Sequence, residues 1–205
     1  MPNWCTNDLE IRGNEKDIAA IAALCRFNEG TFDFNAVVPM PQELKITCGS
    51  TTDNGLAVLY GEWQRALRYR VRPESALASS TTPPETRQEL IALIEAHPEM
   101  FWNISLDEAR QAKANEERYG AKTWYEWCIA NWGTKWSAGD GLDVHVAGTS
   151  IGLVFDTAWS PPVPVIVALC KRFPKIKVAM HYVDEGGCFE GELIGSNGAV
   201  STDDY

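Results

Sequence analysis

The fold is constrained most by the order of two hydrophobic patterns along the chain, the alternation typical of strands and the spacing typical of helices. Residues 5–11 place mainly apolar side chains at every second position, which is typical of a strand buried on one face. Helical spacing follows over residues 15–27, directly after Asn14, a favourable helix N-cap residue. Alternation returns over residues 32–38 and ends at Pro39. The opening of the chain is therefore predicted to be β-α-β.

The last third of the chain shows the same two periods in a second run of elements. A hairpin is predicted around Gly148–Ser150, a helix after Ser160–Pro161, and another hairpin around Glu185–Gly187. Two β-α-β halves on one antiparallel sheet, with the helices on one face, form the split β-α-β arrangement. We therefore predict an α+β fold, a ferredoxin-like sandwich.

The middle of the chain, residues 42–122, has a helical pattern instead. Three residue pairs with capping-box spacing precede helical patterns in or just after this stretch: Thr82 with Glu85, Ser105 with Glu108, and Thr123 with Glu126. No repeat or low-complexity tract interrupts the chain. We predict one domain over residues 1–205 that contains an all-helical insertion at residues 42–122.

Charge and composition narrow the classes of partner. The formal net charge is −10, which opposes the approach of nucleic acid and of anionic membranes. One basic cluster, Arg65–Arg72, is the exception. The sequence contains no apolar run long enough to span a membrane and no signal-peptide pattern, so a cytoplasmic location is expected.

Six cysteines are scattered along the chain without the close pairs that zinc sites use. Four of them lie within apolar patterns, where a reduced thiol packs as a small hydrophobic group. We expect structural thiols, no bound metal and no cofactor.

The densest motif is a tryptophan-rich segment, residues 123–136, with four of the eight tryptophans. One interpretation is an aromatic cage formed by Trp132 and Trp136, in which Asn131 and Lys135 bind a ligand or a stacked base. The other interpretation is that the aromatic side chains pack the helical insertion onto the sheet, which is the commoner role of large aromatics.

A second candidate motif, residues 156–162, lies where a strand leads into a helix. Asp156, Trp159 and Ser160 fall in this corner, and the N–H groups at the helix start favour an anion. An ordinary N-cap at Ser160 explains the same residues.

Other motifs lead to no catalytic assignment. The G-x-S-x-G pattern at residues 148–152 is flanked by predicted strands, whereas a nucleophile elbow needs a helix after the serine. His145 and His181 fall on the polar sides of strands, and the common phosphate-binding loops are absent. Asp184, Glu185, Glu190 and Glu192 are interpreted as a solvated sheet edge.

Several long motifs, ordered from end to end, resemble the YubB ferredoxin-like family, which is carried by phages and conjugative plasmids. The residues that carry this resemblance are Met1–Asn7, Val38–Pro41, Asn131–Trp136, Phe155–Pro162 and Tyr182–Gly186. The resemblance implies a ferredoxin-like fold, and it implies no activity or catalytic residue.

Three functional hypotheses follow. The first is a non-enzymatic accessory protein of a mobile element that binds a host macromolecule, most naturally a protein. The second is a small-ligand or nucleotide site, open to catalysis, between the Trp132–Trp136 segment and the Ser160 helix start. The third is single-stranded nucleic acid on the open sheet face, which would need exposed aromatic and basic side chains there.

Overall fold

The computed structural model describes residues 2–64, 84–138 and 142–204. The chain divides into two compact units. One, the sheet unit, comprises Met1–Met40 and Cys128–Tyr205, and the other, the helical unit, comprises Pro41–Trp127. The helical unit coincides closely with the stretch expected to be an insertion, but its status as an insertion within one domain stays a prediction.

The sheet unit is built on a six-stranded antiparallel sheet with the strand order β2-β3-β1-β4-β5-β6. Its strands are β1 (Trp4–Arg12), β2 (Asp143–Ala147), β3 (Ser150–Ala158), β4 (Lys177–Asp184), β5 (Glu190–Ser196) and β6 (Ala199–Asp204). Strands β3 and β4 both run antiparallel to β1, so they are parallel to each other with β1 between them. Helix α7 (Val163–Arg172) connects them, which makes a split β-α-β unit. The ferredoxin-like α+β fold is therefore confirmed.

Helices α1 (Glu15–Leu24) and α7 cover one face of this sheet. The Asn14 side chain caps α1 as predicted, accepting a hydrogen bond from the Asp17 N–H at 2.9 Å. The core between helices and sheet is formed by the buried sides of the strands and helices, including Leu9, Ile11, Leu153, Phe155, Met180 and Leu193 from strands and Ile18, Ile21, Ile166 and Leu169 from helices. Each such side chain contributes about 1.5–3 kcal/mol by leaving water. The alternate strand residues are mostly exposed, so the other face of the sheet is open.

The strand predicted over residues 32–38 is wrong. This segment contains the short helix α2 (Phe34–Val37), because the Asp33 side chain accepts hydrogen bonds from the N–H groups of Asn35 and Ala36. Phe32 and Phe34 are buried and contact each other edge to face, with ring centroids 4.7 Å apart. An inward-facing cluster of aromatic residues thus produced the same alternation as a half-buried strand.

Strand β6 was missed by the sequence analysis. It pairs with β5 through a turn at Asn197–Gly198, where both residues have positive φ (53° and 76°). Asn-Gly is the strongest short-range hairpin signal because both turn positions require positive φ. The same pairing corrects the interpretation of Glu190 and Glu192 as a sheet edge, since β5 lies inside the sheet.

The helical unit contains α3 (Ser50–Tyr60), α4 (Arg87–Ala96), α5 (Leu106–Tyr119) and the start of α6 (Trp124–Trp132). Its own core is formed by the buried residues Val58, Leu90, Ile94, Met100, Phe101, Ile104 and Leu106. Helices α3 and α5 pack closely at Gly55, where an added Cβ would collide with the Ser105 carbonyl oxygen. None of the helices in the described part of the chain is long and apolar enough to cross a membrane.

Helix starts in this unit match two of the three predicted capping pairs. The Ser105 side chain accepts from the Glu108 N–H at 3.2 Å, and the Thr123 N–H donates to the Glu126 carboxylate at 3.0 Å. A capping box is also formed by Thr86 with Glu89. Thr82 and the basic cluster Arg65–Arg72 lie outside the described residues.

Candidate functional site

Two of the predicted motifs meet in the sheet unit, where α6 ends and β3 leads into α7. Gly133 ends the helix with φ of 80°, and its N–H donates to the Ile129 carbonyl at 3.2 Å. A Cβ at this position would lie 2.7 Å from Pro164 Cδ and 3.0 Å from the Pro161 carbonyl oxygen. Glycine therefore meets two demands here, a left-handed backbone and the close approach of the next loop.

Buried hydroxyl groups join the two motifs through backbone carbonyls. The Thr134 hydroxyl donates to the Ala158 carbonyl at 2.8 Å, and the Ser160 hydroxyl donates to the Gly133 carbonyl at 2.5 Å. The Thr157 hydroxyl donates to the Ser160 carbonyl at 2.8 Å. Since Thr134 and Thr157 are each only 1% exposed, water does not compete for their hydrogen bonds, which hold the two loops together.

A buried asparagine extends this network into the centre of the sheet. Asn7 is fully buried on β1, and its amide donates to the Thr157 hydroxyl at 2.9 Å and to the Cys5 and Phe155 carbonyls. Asn7 had been placed on the buried side of β1 by the alternation, but nothing in the sequence indicated its partners. Its amide fixes the end of β3 from which the corner departs.

Trp132, predicted as part of a cage, is a packing residue. It is 6% exposed, its indole N–H donates to the Val38 carbonyl at 2.8 Å, and its ring contacts Phe34 edge to face. Asn131 is half-buried on the same helix. Hence Trp132 has little surface to offer a ligand.

Trp136, Trp159 and Lys135 form an exposed aromatic and cationic surface, which we call the tryptophan corner. Both indole side chains belong to residues that are 40% exposed. The Lys135 ammonium lies 4.2 Å from the Trp136 ring centroid and 5.1 Å from that of Trp159. These distances are within the range of cation–π attraction, which orders the lysine against the two rings.

The backbone of Trp159 is strained. Its φ is 71°, in the left-handed region that bulky residues avoid at a cost of about 1–2 kcal/mol. The Trp159 N–H donates to the Asn3 carbonyl at 2.9 Å, and the residues on both sides of it belong to the hydroxyl network. The surrounding contacts therefore impose a conformation that presents a large aromatic ring to solvent.

Ser160 is not the N-cap of α7, which was one interpretation of this motif. The cap is Pro162, and the N–H groups of Val163, Val165 and Ile166 donate to the carbonyls of Pro161 or Pro162. Pro164 has no N–H to offer. The first turn of α7 thus has its donors engaged, which weakens the case for an anion at this helix start.

Asp156 lies apart from the tryptophan corner. It is exposed on the open face of β3, on the side of the strand opposite to Thr157, and accepts a hydrogen bond from the Thr6 hydroxyl at 2.7 Å. The structure therefore brings Lys135, Trp136, Trp159 and Ser160 together, but not Asp156.

The buried thiols do not have the properties of nucleophiles. Burial raises the pKa of Cys5 to about 11, of Cys25 to about 12 and of Cys128 to about 11, and also raises the pKa of Cys170. A thiol with a raised pKa stays protonated near neutral pH and reacts slowly. All six cysteines are free thiols, in keeping with the structural role expected for the buried four.

The open sheet face bears on the nucleic-acid hypothesis. Along the central strands this face carries Thr6, Asp8, Glu10 and Arg12 from β1 and Lys177, Ala179, His181 and Val183 from β4. His145 and His181 lie on it, as predicted from the strand alternation. Within the part of the chain that the structure describes, the Phe, Tyr or Trp side chain on this side of the strands is Trp4, half-buried at the start of β1. The exposed part of the face therefore offers no row of rings on which successive bases could stack.

The comparison with protein families agrees with the fold. Residues 131–205 match the family model described as the ferredoxin-like domain in Api92-like protein. Over its whole length, the chain is similar to the crystal structure of the protein Api92 from Yersinia pseudotuberculosis, with a TM-score of 0.47, 14% identity and coverage of 100% of this chain and 98% of that chain. No curated protein matches the chain. The matches name Api92-like proteins, not the YubB family.

Proposed function

We propose that this chain is a non-enzymatic binding module that contacts another protein through the tryptophan corner. The observation that carries the proposal is the pair of exposed indole rings, Trp136 and Trp159, ordered around the Lys135 ammonium. Tryptophan is enriched at the centres of protein interfaces, where one large ring supplies much of the binding energy. A host protein is the partner of the first hypothesis drawn from the sequence.

The rigidity of the corner supports a binding role. Binding through a preformed surface avoids the cost of ordering side chains and loops at the moment of association. Here the buried hydroxyls of Thr134 and Thr157 brace the loops, and Trp159 holds a left-handed backbone conformation that bulky residues rarely adopt. Strained residues cluster at functional sites because the surrounding structure maintains them for a purpose.

A small-ligand site at the same corner is the second candidate. The cation between aromatic rings favours it, since such a group could bind an anionic aromatic molecule. The engaged N–H groups at the start of α7 count against it. We therefore place the protein-binding function first.

The test compares three single variants in a tagged capture experiment from nuclease-treated host lysate, followed by binding measurements with the purified partner. Trp136→Ala and Trp159→Ala remove the rings of the corner. Trp102→Ala is the matched control, because Trp102 is a tryptophan with 67% exposure in the helical unit. We expect a stoichiometric partner whose Kd rises about thirtyfold or more in the corner variants, the loss typical of an interface hot spot.

Circular dichroism and urea unfolding must first show that each variant is folded. A partner that binds all three folded variants equally contradicts the proposal, as does a wild-type chain that captures nothing. Saturable binding of a small anionic molecule, lost in the same two variants, would instead establish the second candidate.

A further inference from the structure

The open face of the sheet carries a row of residues that crosses its six strands and contains four carboxylates, which we call the carboxylate row. Strand register aligns Asp143, Val154, Asp8, His181, Glu192 and Asp203, one residue from each strand, in that order. With neighbouring strands about 4.8 Å apart, this row spans about 24 Å. The row is thus long enough to contact an extended segment of another chain.

Beside this row the face is concave and partly apolar. The next row of the register places Gly152, Glu10, Ala179 and Ile194 side by side. Gly152, which has no side chain, and Ala179 line a depression of about 420 Å³, and Ala179 also lines an overlapping one of about 460 Å³. Ile194 is 50% exposed at their rim, and Val154 in the carboxylate row is 40% exposed. Apolar groups of a ligand could therefore bury surface at the same place.

Charges on this face are segregated. The carboxylates of the face are Asp8, Glu10, Asp143, Asp156, Glu190, Glu192 and Asp203, and its cations are Arg12 and Lys177. His181, in the middle of the row, contacts the Glu190 carboxylate at 3.1 Å. Arg12 and Lys177 are paired in the register at one end of the strands, and Arg12 is bonded to Glu10 at 2.7 Å. The central and opposite parts of the face are therefore anionic.

We propose that this face docks a basic, extended segment of a partner protein. Lysine and arginine side chains of the segment pair with the carboxylate row, and its apolar side chains occupy the depressions around Gly152 and Ala179. Charge complementarity selects the occupant: nucleic acid and a second copy of the same face are both repelled. This surface is separate from the tryptophan corner, so the inference does not depend on the function proposed for that corner.

The test uses the full chain, isotope-labelled for NMR, at low salt. The probe is a synthetic peptide in which lysine alternates with valine, and its control has glutamine in place of lysine. We expect the lysine peptide to shift the amide signals of β1, β4 and β5 and the glutamine peptide to shift none. A single-stranded oligonucleotide is added in a third titration, with no shift expected on this face.

Two double variants of equal net charge distinguish binding at the carboxylate row from nonspecific attraction of the peptide to an acidic protein. Asp8→Asn with Glu192→Gln removes two carboxylates from the row. Glu116→Gln with Glu117→Gln removes two from helix α5 of the helical unit, where both side chains pair with Lys113. We expect the first variant to weaken binding of the lysine peptide about fivefold or more, and the second to leave the Kd unchanged.

The outcomes divide cleanly. Shifts confined to the open face, together with a loss in the first variant alone, support the proposal. Equal weakening in both variants, shifts spread over the whole chain, equal binding of the glutamine peptide, oligonucleotide binding to this face or no binding at all would each overturn it.

Discussion

The tryptophan corner and the open sheet face belong to the same unit, but they are built in different ways. At the corner, residues far apart in the chain meet: Ser160 bonds to the Gly133 carbonyl, and Trp159 bonds to the Asn3 carbonyl. On the open face, each side chain takes its place from strand alternation and register alone. The corner thus depends on tertiary contacts that also stabilise the fold. The exposed side chains of the open face, by contrast, are not needed for the sheet to form.

This difference indicates that binding and stability are coupled at the tryptophan corner and largely independent on the open face. A substitution in the support of the corner should alter both the fold and the presentation of the rings. A substitution on the open face should change binding and leave folding almost unaffected. Three measurements test this contrast, in order of decreasing effect.

The largest difference in the free energy of unfolding is expected between alanine substitutions at two tryptophans, Trp132 and Trp136, that lie four residues apart. Trp132→Ala should lower the free energy of unfolding by about 3–5 kcal/mol, because it leaves a cavity beside Phe34 and an unpaired Val38 carbonyl. Trp136→Ala should cost about 1 kcal/mol or less, since the ring is partly exposed. Urea unfolding followed by circular dichroism measures both. Equal losses would show that Trp136 is part of the core after all.

A smaller effect is expected from the strained backbone at the corner. Trp159→Gly should be more stable than Trp159→Ala by about 1 kcal/mol, because glycine adopts a φ of 71° without the steric cost of a Cβ. Both variants lose the same ring contacts, so the difference isolates the backbone. Thermal unfolding of the pair provides the measurement, and a more stable alanine variant would refute the strain.

The smallest effect is expected on the open face. Asp8→Asn with Glu192→Gln should change the free energy of unfolding by about 0.5 kcal/mol or less, because both side chains are exposed. The direction should be a slight stabilisation, which fades at high salt, since repulsion within the carboxylate row is relieved. A large loss in urea unfolding would mean that these carboxylates support the fold.

Much of the fold followed from local patterns. The alternation in β1, the hairpin at Gly148 and the N-caps at Asn14 and Ser105 depend on residues close together in the chain, and the structure confirms them. The strand predicted around Phe34 is wrong because a buried aromatic cluster has the same alternation as a strand. Strand β6 is predictable from Asn197–Gly198, a strong turn signal between β5 and β6.

Less of the candidate site could be predicted. The sequence marked the tryptophan-rich segment and the strand-to-helix corner as places of interest, and the structure brings parts of the two together. The sequence offered no means of telling Trp132 from Trp136, because the two have the same chemistry and lie four residues apart on either side of Gly133. Nor did it show that Ser160 would bond to Gly133 instead of capping α7.

By itself, the sequence determined five of the six strands of the sheet, the sides on which their residues fall, the acidic character of the chain and the ends of several helices. These are local properties, set by the period of side chains along one element and by capping groups a few residues away. Only the tertiary structure decided which tryptophan is buried, which hydroxyl braces the corner and that six separate residues form one row across the sheet. Burial and register depend on which elements pack against each other, and no single element contains that information.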